Sequence, residues 1–141
     1  MSSSENLVDN FKKSTSITVK SIGKSKDAEI DFVVEKPSII GKKINLTIPT
    51  AQTLKSDLNY LRGESDSMAV ELRLHNSKIH QAFIKENNIS NEIFNAIEKS
   101  RCEAIGSEIF KGVKKNIFNK HQRDLKNIIN EKNEDKKIIQ A

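Results

Sequence analysis

Eight residues on helical spacing carry the chemical potential of this 141-residue chain: Arg62, Asp66, Arg73, His75, Glu98, Arg101, Glu103 and Gly106. Asp66 follows Arg62 by four positions, and Arg101 follows Glu98 by three, the separations at which opposite charges meet along a helix. Taken as isolated surface pairs they are worth roughly 0–1 kcal/mol each. Taken as a set they describe something more specific. Glu98 and Arg101 cross to the Arg62–His75 segment and make a partly buried charged network that fixes how two helices meet, or they form a surface facing a partner. Nothing in the set brings an acid, a base and a nucleophile together, so no catalytic residue is assigned.

Other chemistries find little support. His75 and His80 lie five residues apart, about 140° around a helix, and converge only if a turn at Asn76-Ser77 reorients the second. No metal site is assigned, and His75 reads as a helix-ending side chain that satisfies carbonyls or pairs with an acid. Asp66-Ser67 is followed by Met68-Ala69, which excludes an Asp-x-Ser-x-Ser adhesion loop. Cys102, the single cysteine, reads as a buried inert thiol. Gly41-Lys42 has Lys36 where a phosphate-binding loop needs glycine, and five scattered glycines contain no dinucleotide fingerprint. No cofactor-binding residue is assigned.

The elements that must position these residues begin with a short helix, Glu5 to Lys13, capped by Ser4. Three period-2 alternations follow, at Ile17/Val19, Ile30/Phe32/Val34 and Ile44/Leu46/Ile48, each read as a strand with one buried face. Gly23–Asp27 suits a hairpin loop, and Pro37–Lys42 brackets a longer one. The simplest sheet is an antiparallel meander.

After Pro49 everything reads as helical. A helix carrying Leu54, Leu58 and Leu61 is capped by Thr50 or Thr53 and interrupted at Arg62-Gly63. Glu64–Leu74 forms a second, with Met68, Ala69 and Leu72 inward. A short helix holds Ile79, Phe83 and Ile84 and closes at Asn87-Asn88. Ser90 then caps a long helix, with Glu92 in its first turn and an apolar stripe of Ile93, Ile97, Ala104, Ile105, Ile109, Val113 and Ile117. Gly106 and Gly112 mark a helix break or a close approach of another element. Beyond Phe118 the pattern weakens, with Glu131–Lys137 expected to fray. The fold class is therefore α+β: a small three-stranded sheet, then a helical bundle with a long C-terminal helix.

Charge is unevenly placed. Residues 1–110 hold 15 basic and 15 acidic side chains, whereas residues 111–141 hold 9 and 4, so the whole net charge of +5 lies in the last helix. A solvated face is one reading; an acidic partner, including nucleic acid met by Lys111–Lys126, is the other. With no Trp and one Tyr, stacking on bases is disfavoured. A lone cysteine, no basic-then-apolar leader in the first residues and no apolar run of about 20 point to a cytoplasmic protein without a membrane span.

The segments Arg62-Gly63-Glu64-Ser65-Asp66-Ser67-Met68-Ala69, Leu72-Arg73-Leu74-His75, Phe94–Glu98, Arg101-Cys102-Glu103-Ala104-Ile105-Gly106 and Gly112-Val113 together resemble the N-terminal region of CobT. CobT is a subunit of the aerobic, ATP-dependent cobaltochelatase of cobalamin biosynthesis. The resemblance runs from about Phe11 to Ile117 and is clearest from Leu61 to Val113. It implies a non-catalytic assembly subunit that works with a ring-forming AAA+ ATPase of the CobS type and a large porphyrinoid-binding subunit of the CobN type, and an oligomeric state. The large subunit inserts Co(II) into hydrogenobyrinic acid a,c-diamide, and ATP, Mg and cobalt are handled by the partners. The implied organisation is a CobT-like domain over 1–118 and a basic helical extension over 119–141. Family members are longer, with an acidic middle section and a von Willebrand-type domain. The exposed-looking Ile138-Ile139 pair accordingly suggests the front piece of a longer protein.

Overall fold

The computed structural model describes residues 2–140. Met1 and Ala141, the ends of the segment read for a leader and of the Ile138–Ala141 stretch, lie outside the described residues. Along the chain come α1 (Ser3–Ile22), β1 (Glu29–Val33), β2 (Ser38–Ile40), β3 (Lys43–Thr47), α2 (Ala51–Ser56), α3 (Leu58–Leu74), α4 (Ser77–Phe83), α5 (Asn88–Ile109) and α6 (Lys111–Gln140). The architecture is α+β, with a small three-stranded sheet followed by helices and a long last helix.

The first helix is longer than the apolar pattern at its start implies. Ser2 and Glu5 close a capping box at its N-terminus. The row Phe11, Thr15, Val19 and Ile22 recurs at three- and four-residue steps, so the helix runs through the segment expected to be the first strand. Val19 is fully buried while Ile17 points to solvent, which two alternating residues cannot reveal.

The three strands are instead β1, β2 and β3, in the order β1-β3-β2. Gly41, with φ +60°, makes the tight turn that folds β2 back on β3, pairing Ile40 with Lys43. Because that hairpin places β2 outside, β3 is the central strand and runs parallel to β1, Ile30 opposite Ile44 and Phe32 opposite Leu46. The sheet is thus mixed, not a pure antiparallel meander.

Thr50 caps α2 through the Thr53 amide. The break in the helical run falls at Asp57, and α3 passes through Arg62-Gly63 unbroken. At Gly63 the α6 backbone comes so close that a Cβ would stand 2.3 Å from the Asn116 carbonyl oxygen. Asn87, not Ser90, caps α5, its side chain accepting from the Ile89 and Ser90 amides at 2.9 and 3.2 Å. The expected apolar stripe divides at Phe110. Val113 and Ile117 belong to α6 and are buried, whereas Ile93, Ile97, Ala104, Ile105 and Ile109 are exposed on α5, whose buried face is Cys102, Glu103 and Gly106. Glu131–Lys137 remains helical within α6.

Two apolar clusters hold these parts. One joins α1, the sheet and α3 through Val19, Ile44, Leu46, Met68 and Ala69. The other joins α3 to α6 through Val70, Val113 and Ile117, with Ile22, Leu74 and Phe110 against it. The central helix α3 contributes to both.

Candidate functional site

Along α3 every residue from Gly63 to Val70 is buried, including Glu64, Ser65, Asp66 and Ser67. A helix buried on several sides must find partners for its polar side chains, because an unpaired buried group costs about 1–3 kcal/mol. Each of the four does. Glu64 accepts from the Thr47 amide and hydroxyl at 2.7 and 2.9 Å, tying the end of β3 to α3. Ser65 donates back to the Arg62 carbonyl at 2.9 Å. Asn116 of α6 donates to Asp66 at 2.7 Å. Ser67 donates to Glu103 of α5, whose other oxygen lies 2.6 Å from His121 Nε2 of α6. Ser67, Glu103 and His121 therefore link all three helices through one carboxylate.

One turn along, α3 and α5 touch directly. A Cβ at Gly106 would stand 2.3 Å from Val70 Cγ1 and 2.7 Å from Val70 Cβ, so only glycine admits this contact. At the C-terminal end of α3, Glu98 and Arg101 of α5 meet His75. Arg101 donates to Glu98 through Nε and Nη2, both at 2.8 Å, and through Nη2 to the Leu74 carbonyl at 3.0 Å. Glu98 Oε1 lies 3.1 Å from His75 Nδ1. The Arg101 hydrogen bonds, helped by His75, hold the Glu98 carboxyl down to about pKa 2. Buried Cys102 lies beside them, its thiol pushed up to about 11 by burial and by the Glu98 charge. Such a thiol is protonated and unreactive near neutrality. Burial also raises the Glu71 carboxyl, against the pull of Lys99 and His75.

The set of eight residues is thus divided among separate places. Glu98, Arg101 and His75 are together; Glu103 belongs to the Ser67–His121 link; Gly106 is the α3–α5 contact. Arg73 turns away from all of them, donating to the Ile22 carbonyl at 3.1 Å and lying over the Phe110 ring at 5.4 Å. Arg62 and Asp66 face a cleft between α1, α3 and α6. Asp66 is raised by burial, opposed by the Asn116 hydrogen bond and the Arg62 charge.

The turn at Asn76 does bring His75 and His80 together, their rings 4.9 Å apart edge to face, with His80 stacked on Phe94 at 4.7 Å. His80 Nε2 sits 2.7 Å from the Asn95 side-chain oxygen. Among the described residues no three His, Cys, Asp or Glu side chains are grouped to hold a metal ion. None of their helices is long and apolar enough to cross a membrane.

Several participants carry no signal in a linear reading. Ser67, Asn116 and His121 reach their partners across 36, 50 and 18 residues, and only the assembled bundle aligns them. Glu64 is different: an acid on the buried side of a helix marks a paired charge once the helix phase is known.

A family model described as Cobalamin biosynthesis protein CobT matches residues 5–136. No solved structure matches the chain.

Proposed function

The chain belongs to the CobT family of cobalamin biosynthesis proteins, and on that premise we propose that it is a non-catalytic assembly module of the ATP-dependent cobaltochelatase. In this reading it associates with the AAA+ ATPase subunit of the CobS type. The resulting complex acts on the large CobN-type subunit, where Co(II), the substrate, enters hydrogenobyrinic acid a,c-diamide. ATP and Mg are held by the ring partner; this chain's own residues supply a rigid docking body.

One observation supports this reading most. Glu64, Arg73, Glu98, Arg101 and Glu103 of α3 and α5 are spent on fixing the bundle, while apolar residues of α4 and α5 face outward. Ile79, Phe83, Ile89, Ile93 and Ile97 are all more than half exposed. Apolar surface of that kind supports a protein-protein contact. Pull-down of the chain with its ATPase subunit tests the reading: capture is expected, and absence of capture with and without nucleotide counts against it.

The second reading, nucleic-acid binding by the basic part of α6, is weakened by intramolecular pairing. Lys114 meets Glu108, Lys120 meets Asp124 and Arg123 meets Asp57 at 3.8, 2.7 and 2.7 Å. A gel shift that vanishes between low salt and about 100 mM salt would revive it.

A further inference from the structure

A cleft of about 530 Å³ opens between α1, α3 and the first turn of α6. Phe11 and Ile22 of α1, with Phe110 and Val113, give it apolar walls. Its floor is the buried Asp66, joined through one carboxylate oxygen to half-buried Asn116 at 2.7 Å. Arg62 and Lys111 stand exposed at its rim, and among the described residues neither forms an ion pair. By contrast Lys114, Lys120 and Arg123, further along α6, each hold an acid. Gly112 adds backbone to the cleft without a side chain, and a Cβ there would meet nothing within 4 Å. Two uncommitted cations, apolar walls and a buried acceptor make a site that is positive at the mouth and hydrogen-bonding at the base.

We propose that this cleft docks an acidic peptide segment of a partner protein. A Glu or Asp carboxylate accepts a charge-assisted hydrogen bond from one of the two rim cations, Arg62 or Lys111. The adjoining apolar side chain lies against Phe11 and Phe110, and a peptide N–H is donated to Asp66. The floor acceptor separates this ligand from a bare anion, because a peptide brings an N–H that the Asp66 carboxylate can accept. The inference rests on this chain's own residues and stands independently of the chelatase reading.

The test is a ¹⁵N-resolved NMR titration of the whole chain with the capped peptide Ac-Phe-Glu-Leu-Glu-NH2. The controls are its glutamine counterpart and inorganic phosphate. The Gly112, Val113 and Asn116 amides should shift with a dissociation constant on the order of 1 mM, and the glutamine peptide should bind at least about tenfold more weakly. The exposed double variant Arg62→Gln/Lys111→Gln should keep the native spectrum and lose binding by a similar factor. Absence of shifts at about 10 mM peptide, equal binding of the glutamine peptide, or full binding by the double variant would each overturn the proposal. So would phosphate binding at these amides more tightly than the peptide, which would make the cleft a small-anion site.

Discussion

At the scale of single residues, Glu98 does the most identifiable work. Its carboxyl is held down to about 2 in the fold, against an ordinary value near 4.5, by Arg101 and His75. A group lowered in this way stabilises the fold above its unfolded pKa, and that contribution is lost as pH falls from about 4.5 through about 2. Arg101 is partly exposed, so solvent screens the pair, and the net contribution at pH 7 is on the order of 1–2 kcal/mol. Glu98→Gln should therefore destabilise at pH 7 by about that amount, with the difference from the parent closing on acidification toward pH 2. Urea denaturation of both proteins across that range measures it. Asp66 and Glu71 work in the opposite sense: raised by burial, they favour the fold when protonated, so only the difference between parent and variant isolates Glu98. The Glu98–Arg101 spacing was legible in the sequence, and so was a crossing to the His75 segment. The division of the eight residues into separate clusters was not, because it depends on α3 being wrapped by α1, α5 and α6 together. Nothing in local spacing tells Arg73 to turn toward Ile22 instead of toward Glu98.

At the scale of elements, two glycines set how closely the bundle helices approach. Gly63 admits the α6 backbone to α3, and Gly106 admits Val70 to α5. Alanine would gain about 1 kcal/mol of intrinsic helix preference at either position, yet overpacking costs about 1–3 kcal/mol, more where backbone must move. Gly63→Ala meets a carbonyl and should be the more damaging. Gly106→Ala meets the branch point of a valine side chain, so a second change, Val70→Ala, should recover part of the loss. Thermal unfolding of the three variants checks the order. Amide exchange gives a further expectation: α6 should be protected from Val113 to about Arg123, where it packs on α3 and α5, and exchange fast from Leu125 onward, where its side chains are exposed. Most elements could be read from the sequence: β1 and β3 from alternation, α2 from Thr50, and helix across α5 and α6 from the apolar stripe, though without the division at Phe110. Others could not, for physical reasons. The Ile17/Val19 alternation was too short to outweigh a helical row of which polar Thr15 is a member. The interruption expected at Gly63 was a packing requirement, and the mixed sheet follows from a Gly41 turn that linear order cannot reveal.

The whole molecule uses polar side chains of α3 and α5 to fix its interior and presents apolar residues of α4 and α5 outward. Ile93, Ile97, Ile105 and Ile109 of α5 belong to the apolar stripe legible in the sequence, yet they are exposed, since hydrophobicity alone does not say whether another helix of the same chain or another protein covers a face. The family assignment carries this reading toward chelatase assembly. Its most direct test is a binding titration of the chain against the CobS-type AAA+ subunit, with ATP and without, alongside an Ile93→Glu/Ile97→Glu variant. Those two positions are exposed, so the variant should fold normally. The account predicts saturable binding by the parent, weakened at least about tenfold in the variant. Failure of the parent to bind in either nucleotide state, or equal binding by the variant, would contradict it.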